Sequence, residues 1–490
     1  MKLKVKDVNL STGGPLIAVM NEEDAKNLDV RANDRIKIKR LRAKKEITAV
    51  VDVSSKGISP GEVGLFEELL KKLDVEEGVC IEAEFSGRPH SIMYIKKKME
   101  GQQLSDKEIT AIISDIVHNK LSEIELTYFV SGCYANGLTM SESVALTKAI
   151  VDTGDKLNFG KKIVIDKHCA GGVPNNRTTM VIVPILAALG HIMPKTSSRS
   201  ITSPAGTADT MEVLCPVSLT LEKIKEVVKK TGACIVWGGA INLAAADDRL
   251  IRVRHPLSID PEGMLLASIL AKKKAVGSTH VIIDLPYGYG SKIPTKKQAA
   301  CLGKKFVTLG KMLRMKIKVV LTDGSEPIGN GIGPALEAKD VLLVLQNDGP
   351  NDLREKSIFL ATEILKMIGE KNAQKKVLDV LNSGKAYEKF IEIIKEQGGR
   401  KHIRLPKAKF VYDVFANASG EVVVINNKGL SKIARIAGAP DDKVAGIYLR
   451  VKKGFRVRKG QEIFTIHAKN KAKLDSAVSL LKEVETVKIK

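Results

Sequence analysis

The chain has 490 residues, 44% hydrophobic, 28% charged and only 4% aromatic, and its formal net charge of +23 would suit an anionic substrate, a solvated surface or nucleic acid. That length exceeds what one hydrophobic core organises and predicts two to four domains; the opening MKLKVKDVNL has no hydrophobic signal region, and no apolar run nears the ~18 residues of a spanning helix, so a soluble cytoplasmic protein is expected. Lysine and arginine are spread along the chain with neither stacking aromatics nor a recognition helix, which argues against nucleic acid as the partner, and high Lys plus Glu with few aromatics is also a thermophile pattern.

Residues 1–86 read as a small β-rich domain, because Leu3-x-Val5, Ile36-x-Ile38 and Ile47-x-x-Val50-Val51-x-Val53 alternate between turns such as Ser59-Pro60-Gly61. Gly87-Arg88-Pro89 and the charged run 96–100 read as a linker. A helical domain is expected over 87–160, with helices opened by capping boxes at Ser105-x-x-Glu108, Ser122-x-x-Glu125 and Thr139-x-x-Glu142; Ile109, Ile112, Ile113 and Ile116 mark one buried face. An α/β domain is expected over 161–246 and 276–400. It starts with a short apolar strand at 162–165 and a loop over 166–172, continues through a buried helix at 180–189, and reaches a helix at 220–230 and a strand at 234–237. Alternation of strand and helix predicts a mostly parallel sheet. The helical pattern returns over about 247–275, strands resume at 281–285 and 319–322, and 401–490 read as a β-rich terminal lobe. The fold class is therefore α/β and α+β, in several domains.

Two loops gather the candidate chemistry. Asp166-Lys167-His168-Cys169-Ala170-Gly171-Gly172 pairs a cation with glycines that let backbone N–H groups approach an anion. Ser197-Ser198-Arg199-Ser200-Ile201-Thr202-Ser203, followed by Gly206-Thr207, crowds hydroxyls and a guanidinium into a short span, the donor types that suit phosphate oxygens. For each hydroxyl alone, turn capping is the competing reading. Six cysteines without a C-x-x-C pair suggest reduced thiols, with neither a disulfide framework nor a zinc site.

Lys167-His168 with Gly171-Gly172-Val173, Ser197-x-Arg199, Gly206-Thr207-x-Asp209-x-x-Glu212, Ala267–Lys273 and Ile466-His467-Ala468-Lys469 together resemble the thymidine phosphorylase family of nucleoside phosphorylases. The resemblance covers roughly 106–490, and the extra segment before about residue 97 is a feature of that family's AMP phosphorylase branch. It implies phosphorolysis of AMP to adenine and ribose 1,5-bisphosphate, with CMP and UMP as further candidate substrates. No cofactor is implied. AMP and inorganic phosphate are the expected partners, in a homodimer or larger homo-oligomer with the active site in a cleft between the helical and α/β domains. The rival readings are a thymidine or pyrimidine-nucleoside phosphorylase, a phosphoribosyltransferase with similar glycine loops, and a nucleic-acid binder.

By the resemblance, Lys167, Thr178, Ser197 and Thr207 hold inorganic phosphate. AMP lies over Gly172, the run Ser198, Arg199, Ser200, Ile201, Thr202 and Ser203, and Thr207, with the 5′-phosphate on the run's hydroxyls and Arg177 as a helper. Ser268, Lys272 and Arg254 face the base, His168 flanks the cleft, and Asp260 donates the proton to the leaving base. The bland alternatives are a helix cap for Asp260 before Pro261, a solvated loop lysine for Lys292 and a structural histidine for His168. This chain departs from the family in three places. Cys169 stands where a serine is usual, and in the family's D-x-K-x-G-S-G-A-F-M motif the lysine is Pro286 and the phenylalanine is Lys292. Those last two changes speak against a pyrimidine nucleoside, and Lys292 is read as a contact to the nucleotide.

Overall fold

In a computed structural model, which describes every residue except 14–15, 42–44, 201–202, 242, 255 and 257–258, the alternating segments at the start of the chain form six strands. These are β1 (Lys2–Asp7), β2 (Ile17–Asn21), β3 (Arg35–Arg40), β4 (Glu46–Ser54), β5 (Glu62–Leu65) and β6 (Cys80–Ser86), closed into a barrel in the order β1-β5-β2-β4-β3-β6. Every second residue, such as Leu3 and Val5, Ala18 and Met20, or Ile36 and Ile38, points into one apolar core, and closure leaves no unpaired edge.

The barrel belongs to the first of two compact units, Met1–Gly154 with Ala244–Ala271. Its helices Asp106–Val117, Glu123–Asn136 and Met140–Thr153 begin at the capping boxes: Ser105, Ser122 and Thr139 each accept the N3 backbone amide, and the glutamate at N3 accepts the cap's own amide. Ile109, Ile112, Ile113 and Ile116 are buried as their spacing predicts. The run 96–100 differs from the expected linker, since Ser91–Met99 is a helix and Lys98 reaches Glu142 at 2.8 Å with both side chains at most 3% exposed. A lysine can be buried where a carboxylate on another helix compensates it, and nothing within the run itself reveals that partner.

The second unit comprises Asp155–Leu243 and Lys272–Lys490. Its central strands are β7 (Ile165–Cys169), β8 (Met193–Ser197), β9 (Ala233–Trp237), β10 (His280–Tyr287) and β11 (Lys316–Asp323). They pair only in parallel, as a sheet β11-β10-β7 and a pair β8-β9. The buried helix expected at 180–189 is Thr178–Ala188, apolar from Met180 onward and buried at Thr178 through Ala187. β7 begins at Ile165, so Asp166, Lys167, His168 and Cys169 lie in a strand rather than in the expected loop. Strands of parallel sheets are covered on both faces, and here the covering elements supply partners for the charges. Toward the end of the chain, two antiparallel sheets and the helices Asn427–Ile436 and Lys471–Leu480 share a further core. Among the described residues no helix is long and apolar enough to cross a membrane.

Candidate functional site

β7 carries Asp166 and Lys167 into the interior of the second unit, at 0% and 1% exposure. The Lys167 ammonium donates to Thr178 Oγ1 at 2.9 Å, at the start of the buried helix, and lies 3.8 Å from Asp284 Oδ2 on β10. Thr178 in turn donates to Asn176 Oδ1 at 3.1 Å, and the Asn176 amide donates to both Cys169 Sγ at 3.0 Å and Asp284 Oδ2 at 3.2 Å. Asp284 also accepts from Thr322 at 2.6 Å and pairs with Lys356 at 3.3 Å. Register makes this possible, because Cys169 and Asp284 are Cα partners across the parallel pair.

Burial sets the protonation states. It lowers the Lys167 ammonium below its ordinary value, with Cys169 and Asp284 pulling the other way. Burial by itself would raise the Asp284 carboxyl, but Lys356 and Lys167 reverse that and hold it below its usual value. His168 is driven well below the ordinary histidine range by burial and then by Lys273, Lys195, Lys167 and Lys272, so its imidazole is neutral near pH 7. Burial raises the Cys169 thiol. A neutral thiol is a weak donor and a poor substitute for a hydroxyl.

Behind β7 sits a second charged cluster. Lys273 and Lys195 flank Asp166 at 2.8 and 3.6 Å, and both donate to the Thr196 carbonyl. Burial and the like charge of Lys273 bring Lys195 down to about 7 against the pull of Asp166. Sequence reasoning missed Lys195, Lys273 and Lys356, and it placed Asp166 and Asp284 in motifs without a role. Their partners come from strands and helices far along the chain, so no local spacing signals them.

The second loop leaves β8 at Ser197, whose hydroxyl is buried and has no hydrogen-bond partner among the described residues. Arg177 ties the loop down: it donates to Thr207 Oγ1 at 3.0 Å and to the Ala205 carbonyl at 2.5 Å, and it pairs with the buried Glu337 at 2.5 Å. Arg199 is engaged with Glu212 at 2.5 and 2.7 Å and Asp209 at 3.2 Å, and stacks 4.8 Å over Trp237. The Ser200 hydroxyl donates to the Ser203 carbonyl, and that of Ser203 to the Ala205 carbonyl at 3.0 Å. Ser198 is exposed, while its carbonyl lies where any Cβ on Gly206 would come within 2.6 Å, so a glycine is required there. Ile201 and Thr202 lie outside the described residues. Gly172, at φ +65°, is covered by the Lys292 side chain, whose Cγ would sit 3.1 Å from a Cβ. The structure thus brings Gly172 and Lys292 together, and likewise Arg177 and Thr207.

In the first unit, Arg254 is 5% exposed and lies 3.6 Å from both Asp247 and Asp260; its Nε and Nη1 have no hydrogen-bond partner among the described residues. The Ser268 hydroxyl donates to Asp247 Oδ2 at 2.6 Å. Asp260 is 52% exposed and is therefore an accessible carboxylate beside a guanidinium rather than a shielded one. Lys272 begins the second segment of the second unit, close enough to act on the His168 charge.

Three parts of the chain match known families: residues 92–154 the glycosyl transferase family helical bundle domain, 161–387 the glycosyl transferase family a/b domain, and 422–488 the pyrimidine nucleoside phosphorylase C-terminal domain. The AMP phosphorylases of Thermococcus sibiricus and Pyrococcus furiosus are each 45% identical over 100% of this chain and 98% of their own. That of Methanocaldococcus jannaschii is 42% identical over 100% of this chain and 97% of its own. Among solved structures, anthranilate phosphoribosyltransferase from Thermus thermophilus aligns with a TM-score of 0.52 at 17% identity, over 62% of this chain and 98% of that one, a likeness of fold.

Proposed function

The chain belongs to the AMP phosphorylases, within the family that carries the pyrimidine nucleoside phosphorylase C-terminal domain, and from that premise we propose that it is a pentosyltransferase converting AMP and inorganic phosphate to adenine and ribose 1,5-bisphosphate. One observation carries the reading: identity of 45% extends over 100% of the chain, the N-terminal barrel included. CMP and UMP are further candidate substrates. The same reading makes the protein a cytoplasmic homodimer or larger homo-oligomer and divides it into a β-rich extension at 1–86, a helical domain at 87–160 rejoined by 247–275, an α/β domain at 161–246 and 276–400, and a β-rich lobe at 401–490.

In the proposed reaction a phosphate oxygen bonds to C1′ as the N9–C1′ bond breaks. The electrons of that bond leave with adenine, which is neutralised by a proton placed on N7. Three tasks follow: holding the attacking dianion, holding the nucleotide and protonating the base. For the first, Lys167, Thr178, Ser197 and Thr207 are proposed; a buried ammonium hydrogen-bonded to Thr178 and an unpartnered buried hydroxyl at Ser197 support this. For the second, Gly172, Ser198, Arg199, Ser200, Ile201, Thr202, Ser203, Thr207, Ser268 and Lys292 are proposed. Ser200 and Ser203 serve by rotating hydroxyls that now donate to carbonyls, and Arg199 by shaping the loop through its carboxylate pairs. Arg177 acts by holding Thr207, and Lys272, Arg254 and a neutral His168 complete the base side. Asp260 is proposed as the group that supplies the proton.

Incubating the protein with phosphate and, separately, AMP, CMP, UMP, adenosine or thymidine, and measuring free base, tests the reading. Adenine should be released from AMP in preference to adenosine. Base release from thymidine but not from AMP would replace it with a pyrimidine-nucleoside phosphorylase.

A further inference from the structure

The helix Asn351–Met367 directs Lys356 at Asp284, the same carboxylate that Lys167 faces. The Lys356 Nζ is shut off from solvent and has no hydrogen-bond partner among the described residues, although it lies 3.3 Å from Asp284 Oδ2. Each ammonium carries three donors. Lys167 uses one on Thr178, and Lys356 has only its charge pairing. Both reach one oxygen, so the two ammoniums lie within roughly 7 Å of each other, close enough to repel appreciably in a buried setting.

The local charge does not balance. Two lysines face a single carboxylate whose other oxygen is taken by Thr322, while Cys169 is a neutral thiol and His168 a neutral imidazole. A buried excess of positive charge with unused donors is costly unless something anionic completes it. Pro286 sharpens the point. It stands two residues beyond Asp284 and so on the same face of β10, and its ring packs against Gly171. This chain has no cation at that strand position and brings one to Asp284 from the helix instead.

We propose that Lys356 is a second cation of the inorganic phosphate site, acting with Lys167 and Thr178 to bind the attacking dianion. The assignment rests on the phosphorolysis reading for its consequence in catalysis, but phosphate binding can be measured without nucleotide.

The test uses the full chain with Lys356→Met and Lys356→Arg, titrating inorganic phosphate calorimetrically and then measuring KM for phosphate and for AMP. Lys356→Met should weaken phosphate binding and raise its KM at least tenfold, with KM for AMP within twofold and the melting temperature close to the unmodified value. Lys356→Arg, which keeps the charge, should recover most of the affinity; a residue serving only to neutralise Asp284 would not shift the two KM values apart. Phosphate affinity within twofold of the unmodified protein in folded Lys356→Met would overturn the proposal. Should the methionine variant fail to fold, Lys356→Gln takes its place under the same criteria. Weakened phosphate binding in a protein that never turns over AMP would uphold Lys356 and remove the AMP phosphorylase reading; normal AMP turnover with unchanged phosphate affinity would do the opposite.

Discussion

Replacing Lys167 by methionine separates its role in the site from its role in the fold. The side chain is straight, 1% exposed and seated in β7, and methionine fills nearly the same volume without the ammonium. Asp284 is not stranded by the change, because Lys356 at 3.3 Å and donors from Thr322 and Asn176 remain. The stability change is therefore expected to stay below about 2 kcal/mol, as relief of a buried cation offsets the lost hydrogen bond to Thr178. The effect on phosphate is larger. Losing a charge-assisted hydrogen bond is typically ~1.5–3 kcal/mol, which corresponds to roughly a ten- to 150-fold rise in KM for phosphate. Steady-state kinetics at varied phosphate, alongside thermal melts, reads both quantities. An unchanged phosphate KM in a folded variant would refute the assignment, and a loss of activity that merely follows unfolding would make Lys167 a structural residue.

Asp260→Asn keeps the side-chain shape and removes the transferable proton, so AMP turnover should fall roughly 10²–10⁴-fold with AMP binding little changed, and UMP turnover should suffer less; unaltered AMP turnover would return Asp260 to a helix-cap role. Lys195, held down to about 7 by burial, gives up its proton in the folded chain at a lower pH than in the unfolded chain, where the ordinary value of 10.5 applies. Between those values the unfolded state binds the extra proton, so this group adds stability as pH rises through that window; Lys195→Met should flatten that rise in melts across it, and an unchanged slope would contradict the assignment. Lys98→Met leaves the Glu142 carboxylate buried without its cation and should cost about 3–5 kcal/mol in chemical denaturation, whereas a change below 1 kcal/mol would mean the run behaves as a surface segment after all.

What the sequence made legible was local. Ser105, Ser122 and Thr139 each pair with a glutamate three residues on, a spacing that fixes a helix start without reference to the rest of the chain, and alternation at Ile36 and Ile38 placed a strand, though not the barrel it closes. The apolar stretch around Met180–Ala187 was readable as a buried helix because nothing on it is polar. Buried charge was not legible. Asp166 and Lys167 read as a loop because charged residues ordinarily mark surface, and only Lys195, Lys273 and Asp284, from other strands and helices, make a strand of them. Lys98 was hidden in the same way, since its compensation comes from Glu142, 44 positions away in sequence. Lys356 sits in an amphipathic helix among Arg354, Glu355 and other charged residues, and only the three-dimensional approach to Asp284 singles it out. The hydroxyl run after Ser197 was legible as a cluster, but not that Arg199 would be committed to Glu212 and Asp209.

The most direct measurement follows the fate of phosphate itself. With AMP and radiolabelled inorganic phosphate, the label should appear at C1 of ribose 1,5-bisphosphate, one equivalent for each adenine released, and the product should return to AMP when adenine is added in excess. Adenine release without incorporation of label would show that water rather than phosphate attacks C1′, and would contradict phosphorolysis by this protein.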